Sequence, residues 1–126
     1  MGVFDDIREI LMELLDVEAE EIRAQSYLVR DLGVESIDFL ELAVALNQRF
    51  HIEVHDDTVF LRNLRLHLSK ASQGNADTLE YLKAAYGFLA EQRLREILSD
   101  LDGGPVIQVR DLVEYVQWKM TGSKAA

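Results

Sequence analysis

The chain has 126 residues, 48% of them hydrophobic, and a formal net charge of −10, which predicts a single domain over 1–126 with a modest core. It contains no cysteine, which excludes disulfides and thiolate metal sites, and its acidity argues against nucleic-acid binding because phosphates would be repelled. No apolar run approaches the ~20 residues of a membrane span, and the N-terminus lacks the basic and apolar regions of a secretory signal, so we expect a cytoplasmic protein without a membrane span.

The charge is unevenly distributed along the chain. Residues 1–61 hold 15 acidic and 4 basic side chains, a net of −11, whereas residues 62–105 hold six of each and are neutral. An acidic half attracts basic protein partners at long range. Solubility alone also explains such a charge.

The first half predicts two helices joined by a long connection. Apolar residues recur at helical spacing over 3–16, and a connection with scattered apolar anchors follows over 17–35. A central helix over 37–50 is apolar on most of its circumference, which predicts that neighbouring helices surround it. Core packing explains this pattern, and so does an interior that opens to admit an apolar chain. The candidate lining residues for such an acyl pocket are Leu40, Ala43, Leu46 and Phe50.

The second half predicts further helices and no strand. After a short extended connector, Asp56 or Asp57 caps a helix whose apolar positions run to Ala71. A turn cluster at 72–75 precedes a long helical stretch from 78 to about 98, which Gly87 or the segment 90–93 bends or divides. The glycines and proline at 103–105 end that stretch. A final helix follows, with fraying expected at 121–126 and with Val109, Leu112, Val113 and Val116 facing inward. The predicted class is all-α.

One motif joins the connection to the central helix. It reads DLGVESID over residues 31–38. Gly33 supplies a backbone free to turn, and Ser36 stands where a helix N-cap or first-turn residue stands. Asp38 and Glu41 follow in the first turns, where carboxylates meet the positive end of the helix dipole.

This motif resembles the serine motif of the acyl carrier proteins. The resemblance implies a four-helix bundle in which the motif serine, here Ser36, carries a covalent 4′-phosphopantetheine arm. It implies a monomer that is not an enzyme, and that a phosphopantetheinyl transferase loads. Acyl groups held as thioesters then pass to acyl-transferring or condensing enzymes of fatty-acid, polyketide or specialised lipid synthesis. Glu35, Asp38 and Glu41 are the expected docking residues for basic partner surfaces, beside their role at the helix dipole.

The resemblance leaves about a third of the chain without a counterpart. It covers residues 3–61 well and 106–119 moderately, whereas 62–105 has no equivalent in a minimal carrier. That segment predicts an extra helical hairpin inserted before the last helix, or a much lengthened third helix. Such an insertion enlarges the core for an unusual acyl chain, adds a docking surface, or embellishes the fold without a role. Glu35 also replaces the family's usual Asp, and 47–49 lacks the acids often found there.

Other interpretations of the same residues remain open. An unmodified interaction module would keep the fold, bind a protein through its acidic helix and use Ser36 as a simple N-cap. A carrier of amino acids or peptides more often shows Gly-Gly-Xaa-Ser before the helix. A hydrolytic serine needs a nucleophile elbow and a histidine, and neither is apparent. A turn and a helix cap explain the cluster of His51, His55, Asp56 and Asp57 better than a metal site does.

Overall fold

The computed structural model describes residues 2–74 and 77–121. Within them lie seven α-helices and two short 3-10 turns, at Ala19–Glu21 and Leu101–Gly103. The α-helices are α1 (Val3–Leu15), α2 (Ser36–Phe50), α3 (Asp56–Val59), α4 (Leu64–Gln73), α5 (Thr78–Ala85), α6 (Glu91–Ser99) and α7 (Val109–Thr121). The all-α prediction is confirmed. Among these residues the β pairing is limited to an isolated antiparallel bridge between Tyr27 and Gln108.

Three helices form the centre of the bundle. α1 packs against both α2 and α7, and α3 closes against α2 and α7. The fully buried side chains at their contacts include Leu11 of α1, Leu46 of α2 and Leu112 of α7. α1 ends one residue earlier than predicted because Asp16 adopts the left-handed conformation (φ 56°) that terminates many helices.

The predicted third helix is divided in two. α3 ends at Val59, Leu61 takes a left-handed φ of 57°, and α4 begins at Leu64. Val59, Phe60 and Leu61 are all buried, yet a helix turns successive side chains about 100° apart. Three consecutive residues cannot all face one core from a regular helix, so the chain leaves the helix to bury them.

The extra helices predicted before the last helix are present, as three rather than two. The long stretch from 78 to about 98 divides into α5 and α6 at a segment that contains Gly87, in the region where the sequence allowed a break. Tyr86 and Phe88 in that segment are both buried, although a regular helix would place their side chains about 200° apart. The turn predicted at 72–75 begins later, because Ser72 and Gln73 still belong to α4 and Gly74 follows it. Position 75 and the fraying predicted after Thr121 lie outside the described residues.

The inserted helices pack into the core of the bundle. Leu82, Leu94 and Ile97 are buried in the same apolar cluster as Leu11 and Leu46. No helix in the described part of the chain is both long enough and apolar enough to cross a membrane.

A buried ion pair ties α6 to the start of α7. Arg93 Nε and Nη2 donate to the two carboxylate oxygens of Asp111, each at 2.8 Å, and the side chains are only 8% and 1% exposed. Asp111 also accepts from the Gln108 N–H at 2.8 Å, so it caps the entry to α7. Nη2 of Arg93 donates further to the Val106 carbonyl. One pair thus fixes the insertion and the last helix together.

Candidate functional site

Ser36 is the first residue of α2, and its side chain is exposed. Glu35 is the N-cap, since its carbonyl accepts the first intrahelical bond from Phe39 N–H (3.1 Å). The Asp38 carboxylate reaches back to the Glu35 N–H at 2.9 Å. Ser36 is therefore not the cap, and no hydrogen bond within the described residues uses its Oγ. The hydroxyl is thus left unengaged on an exposed residue at the start of α2.

The loop before Ser36 is held by its own backbone. The N–H groups of Leu32 and Gly33 donate to the carbonyls of Tyr27 and Val29, both at 3.1 Å, and Val34 N–H donates to Leu28 at 2.9 Å. Gly33 has a φ of +71°, which a side chain rarely allows. Val34 is 3% exposed and anchors the loop two residues before the serine.

The end of the insertion clamps this same loop. Arg30 Nη1 lies 3.1 Å from both carboxylate oxygens of Asp100, and Nη2 donates to the backbone carbonyls of Asp100 and Gly104 at 3.0 and 2.8 Å. The Tyr27 hydroxyl donates to Asp100 at 2.6 Å, and this bond together with Arg30 lowers the pKa of Asp100 below its usual 3.8. A Cβ on Gly103 would lie 2.8 Å from the guanidinium, so glycine permits the close approach.

An apolar stripe follows Ser36 along the outside of α2. Ile37, Leu40 and Val44 are 59%, 53% and 55% exposed, and their spacing places them on one helix face. Glu35 and Glu41 are exposed beside them, whereas Asp38 is half-buried by its capping role. The site thus combines a free hydroxyl, a stripe of three apolar side chains and an acidic border.

Comparison with known proteins agrees with this geometry. The family described as "Phosphopantetheine attachment site" matches residues 5–65, which include Ser36. The acyl carrier protein of Wolinella succinogenes is 46% identical over 57 residues, covering 45% of this chain and 75% of that protein. That of Sulfurovum sp. is 44% identical over 57 residues (45% and 76%), and that of Campylobacter curvus 41% over 56 residues (44% and 73%).

This chain belongs to the acyl carrier protein family. Acyl carrier proteins are carriers rather than catalysts, and their cofactor is covalently attached 4′-phosphopantetheine. The start of α2 fits that group, because the exposed Ser36 hydroxyl stands beside the first N–H groups of the helix. Those groups lack intrahelical acceptors and favour a phosphate. The matched regions cover less than half of this chain and leave most of the insertion unmatched.

The residues predicted to line an acyl pocket fall into different environments in this acyl carrier protein. Leu46 is fully buried, and Ala43 and Phe50 are half-buried. Leu40 faces solvent instead of the interior, so it belongs with the exposed stripe. The pocket assignment of the other three residues stays a prediction.

Residues 47–49, at the end of α2, lack the acids that the family often has there, and the structure shows why. Arg49 donates to Asp6 at 2.7 Å and to Glu9 at 3.3 Å, and thereby ties α2 to α1. The Asn47 amide donates to the Ile52 carbonyl at 2.7 Å where the helix terminates. An acid in place of Arg49 would face Asp6 and Glu9 of α1, and an acid in place of Asn47 would lose the amide donor at the helix end.

The histidines near α3 also have local explanations. His51 terminates α2 with a left-handed φ of 56°, and the His55 N–H donates to the Tyr115 hydroxyl at 3.0 Å. No group of three or more potential metal ligands occurs among the described residues.

Sequence reasoning missed two parts of the site. The sequence predicted neighbouring helices around most of the central helix, whereas the packing leaves the face with Ile37 and Val44 open. The Arg30–Asp100 pair joins residues 70 positions apart. No local pattern signals such a contact.

Proposed function

We propose that this acyl carrier protein carries a 4′-phosphopantetheine arm on Ser36 and holds acyl groups on it as thioesters for delivery to partner enzymes. The observation that supports this most directly is the exposed, unengaged Ser36 hydroxyl at the first position of α2, inside the region that matches the family. An acyl cargo is favoured over an aminoacyl one because the motif reads Gly-Val-Glu-Ser, and because the relatives are named acyl carrier proteins.

The chain's own contribution is presentation rather than catalysis. The Glu35 cap and the clamped loop hold the hydroxyl outward, where a transferase reaches it. The helix N-terminus stabilises the negative charge of a phosphodiester. When bound, the arm supplies the thiol that this cysteine-free chain lacks.

The α2 surface is the proposed docking site for enzymes. Ile37, Leu40 and Val44 offer an apolar strip to an enzyme's pocket, and Glu35, Asp38 and Glu41 attract a basic rim around it. The partners are then a phosphopantetheinyl transferase and acyl-transferring or condensing enzymes with basic surfaces. Asp38 contributes less than the two glutamates, since its carboxylate already caps the helix.

The wider setting follows from the same proposal. The protein acts as a single-domain monomeric carrier in the cytoplasm, in fatty-acid, polyketide or specialised lipid synthesis. The helices of the insertion share the bundle's apolar core, which supports one domain over the whole chain. Their burial also means that deleting 62–105 would expose the core, so point variants are the better probes of the insertion.

The test distinguishes a carrier from an unmodified interaction module. The purified apo-protein is incubated with coenzyme A and a promiscuous phosphopantetheinyl transferase, and its intact mass is measured. We expect a gain of one phosphopantetheine, which Ser36→Ala abolishes and which Ser69→Ala, an exposed serine on α4, leaves unchanged. No gain in the wild-type protein would favour the interaction module.

A further inference from the structure

A cleft lies where the insertion leaves and rejoins the carrier bundle. It has a volume of about 290 Å³, and its walls come from residues 60–62, 64 and 65 on one side and from residues 101 and 104–107 on the other. Most of the lining is apolar, including Leu61, Leu64, Leu101 and Pro105. At the ~30 Å³ that one water occupies in the liquid, the cleft holds roughly ten non-hydrogen atoms.

Two arginines give the cleft a positive charge. Arg62 and Arg65 line it, and both are exposed. Arg62 approaches Asp56 only to 3.9 Å, and Arg65 has no ion-pair partner among the described residues. No acidic residue lines the cleft, although the chain as a whole carries a charge of −10. An apolar space bordered by two guanidinium groups is complementary to an apolar chain with an anionic end.

The cleft begins close to Ser36. Phe39 follows Ser36 by three residues on α2, a rise of about 4.5 Å along the helix. The ring centroid of Phe39 lies 4.7 Å from that of Phe60, and Phe60 lines the cleft. Through this ring contact the cleft adjoins the first turn of α2, which also carries Ser36, the proposed attachment point.

From this arrangement we propose that the cleft receives the acyl chain carried on Ser36 and selects short chains that end in a carboxylate. The proposal rests on the proposed function and names its cargo. The chain passes over Phe60, its methylene groups lie against the leucines, and its terminal carboxylate pairs with Arg62 and Arg65. A chain that ends in a methyl group fits the same space without pairing with the arginines.

Two cargoes that differ only at the far end test the proposal. The apo-protein is loaded from adipoyl-CoA or hexanoyl-CoA with a promiscuous transferase, loading is verified by mass, and the melting temperatures are compared at low salt. We expect the adipoyl form to melt several degrees higher than the hexanoyl form. Backbone amide signals of Leu61, Arg65 and Gly104 should also shift more in the adipoyl form.

The arginine variants identify the cause of that difference. The double substitution Arg62→Gln/Arg65→Gln should remove the difference in melting temperature between the adipoyl and hexanoyl forms. Arg95 is an exposed arginine of α6 outside the cleft, so Arg95→Gln should preserve that difference. Equal melting temperatures in the wild-type protein, or a difference that survives the double substitution, would overturn the cleft assignment while leaving the carrier function intact. A failure of both cargoes to load on Ser36 would overturn the carrier function together with it.

Discussion

At the scale of single residues, the attachment site depends on side chains far from it in sequence. Arg30 belongs to the loop before Ser36, and its partner Asp100 lies at the end of the insertion. Through this pair the end of the insertion holds the loop that precedes Ser36. Asp100 is ionised at neutral pH, so this support responds to acid.

Asp100→Asn should lower the melting temperature at pH 7. The pKa of Asp100 is depressed in the folded protein, so its stabilisation is present above its usual pKa near 3.8 and is lost as the pH falls through the folded value. The difference between wild type and variant should therefore shrink below pH 3.8 in a series of thermal unfolding curves. Asp102→Asn, an exposed neighbour, is the control, and an equal effect of both substitutions at pH 7 would contradict the clamp.

Tyr86 and Tyr115 are both buried, but their hydroxyl groups differ in hydrogen bonding. The Tyr86 hydroxyl is buried without a partner in the described structure, and burial raises its pKa to about 12. The Tyr115 hydroxyl accepts from the His55 N–H. Tyr86→Phe should leave stability unchanged or raise it by up to about 1 kcal/mol, whereas Tyr115→Phe should cost about 1 kcal/mol in urea unfolding.

The dependence of stability on pH above about 10 provides a second measurement on Tyr86. Because burial raises the pKa of Tyr86 in the folded protein to about 12, the unfolded chain ionises this tyrosine first, near its ordinary pKa of about 10. The free energy of unfolding therefore falls as the pH rises from about 10 towards 12. Tyr86→Phe should lose less stability than wild type over this window. A loss of the same size in both proteins would mean that Tyr86 is not the buried group responsible.

At the scale of helices, periodicity predicted the elements that pack regularly. The apolar spacing of α1, α2 and α7 gave their positions, and the serine motif gave the start of α2. The break at Leu61 was missed and the one around Gly87 was left open. Both occur where neighbouring residues are buried that a regular helix would turn in different directions, and that burial is visible only in the assembled core. For the same reason, Leu40 was placed inside when α2 in fact leaves that face uncovered.

The buried pair between α6 and α7 should dominate the insertion's contribution to stability. Asp111→Asn removes the buried charge partner of the Arg93 cation and leaves it only the half-buried Glu96 at 3.8 Å, and should cost about 3 kcal/mol in chemical unfolding. Glu91→Gln, which breaks exposed ion pairs with Lys83 and Arg95, should change little. The double variant Arg93→Met/Asp111→Leu should be less unstable than the sum of the single changes. A mild effect of Asp111→Asn would indicate that the insertion is held elsewhere.

The exposed stripe of α2 should govern recognition rather than folding. Val44→Ser should lower kcat/KM for loading by a transferase by about tenfold, since an apolar anchor in a docking interface is worth more than 1 kcal/mol. The melting temperature should stay unchanged because Val44 is 55% exposed. Leu66→Ser, which removes a similarly exposed apolar side chain from α4, should leave loading unaffected. Equal effects of the two substitutions would argue against docking on α2.

At the scale of the whole molecule, charge and packing assign different tasks to the two halves. The net −11 lies in residues 1–61, the half that contains Ser36, whereas the neutral insertion completes the core and contributes the arginines of the cleft. The sequence predicted this partition of charge and the attachment residue. It did not predict the clamp or the cleft, since both depend on contacts between segments about 40 to 70 residues apart.

The central claim is that Ser36 carries the arm, and peptide mapping tests it most directly. Trypsin should release residues 31–49 as one peptide, between Arg30 and Arg49, in which Ser36 is the only hydroxyl-bearing side chain. In protein isolated from its native cells, mass spectrometry should find this peptide heavier by one phosphopantetheine, with or without an acyl group on the thiol. A peptide that stays unmodified there and after saturating transferase treatment, or an arm found on another peptide, would contradict the assignment.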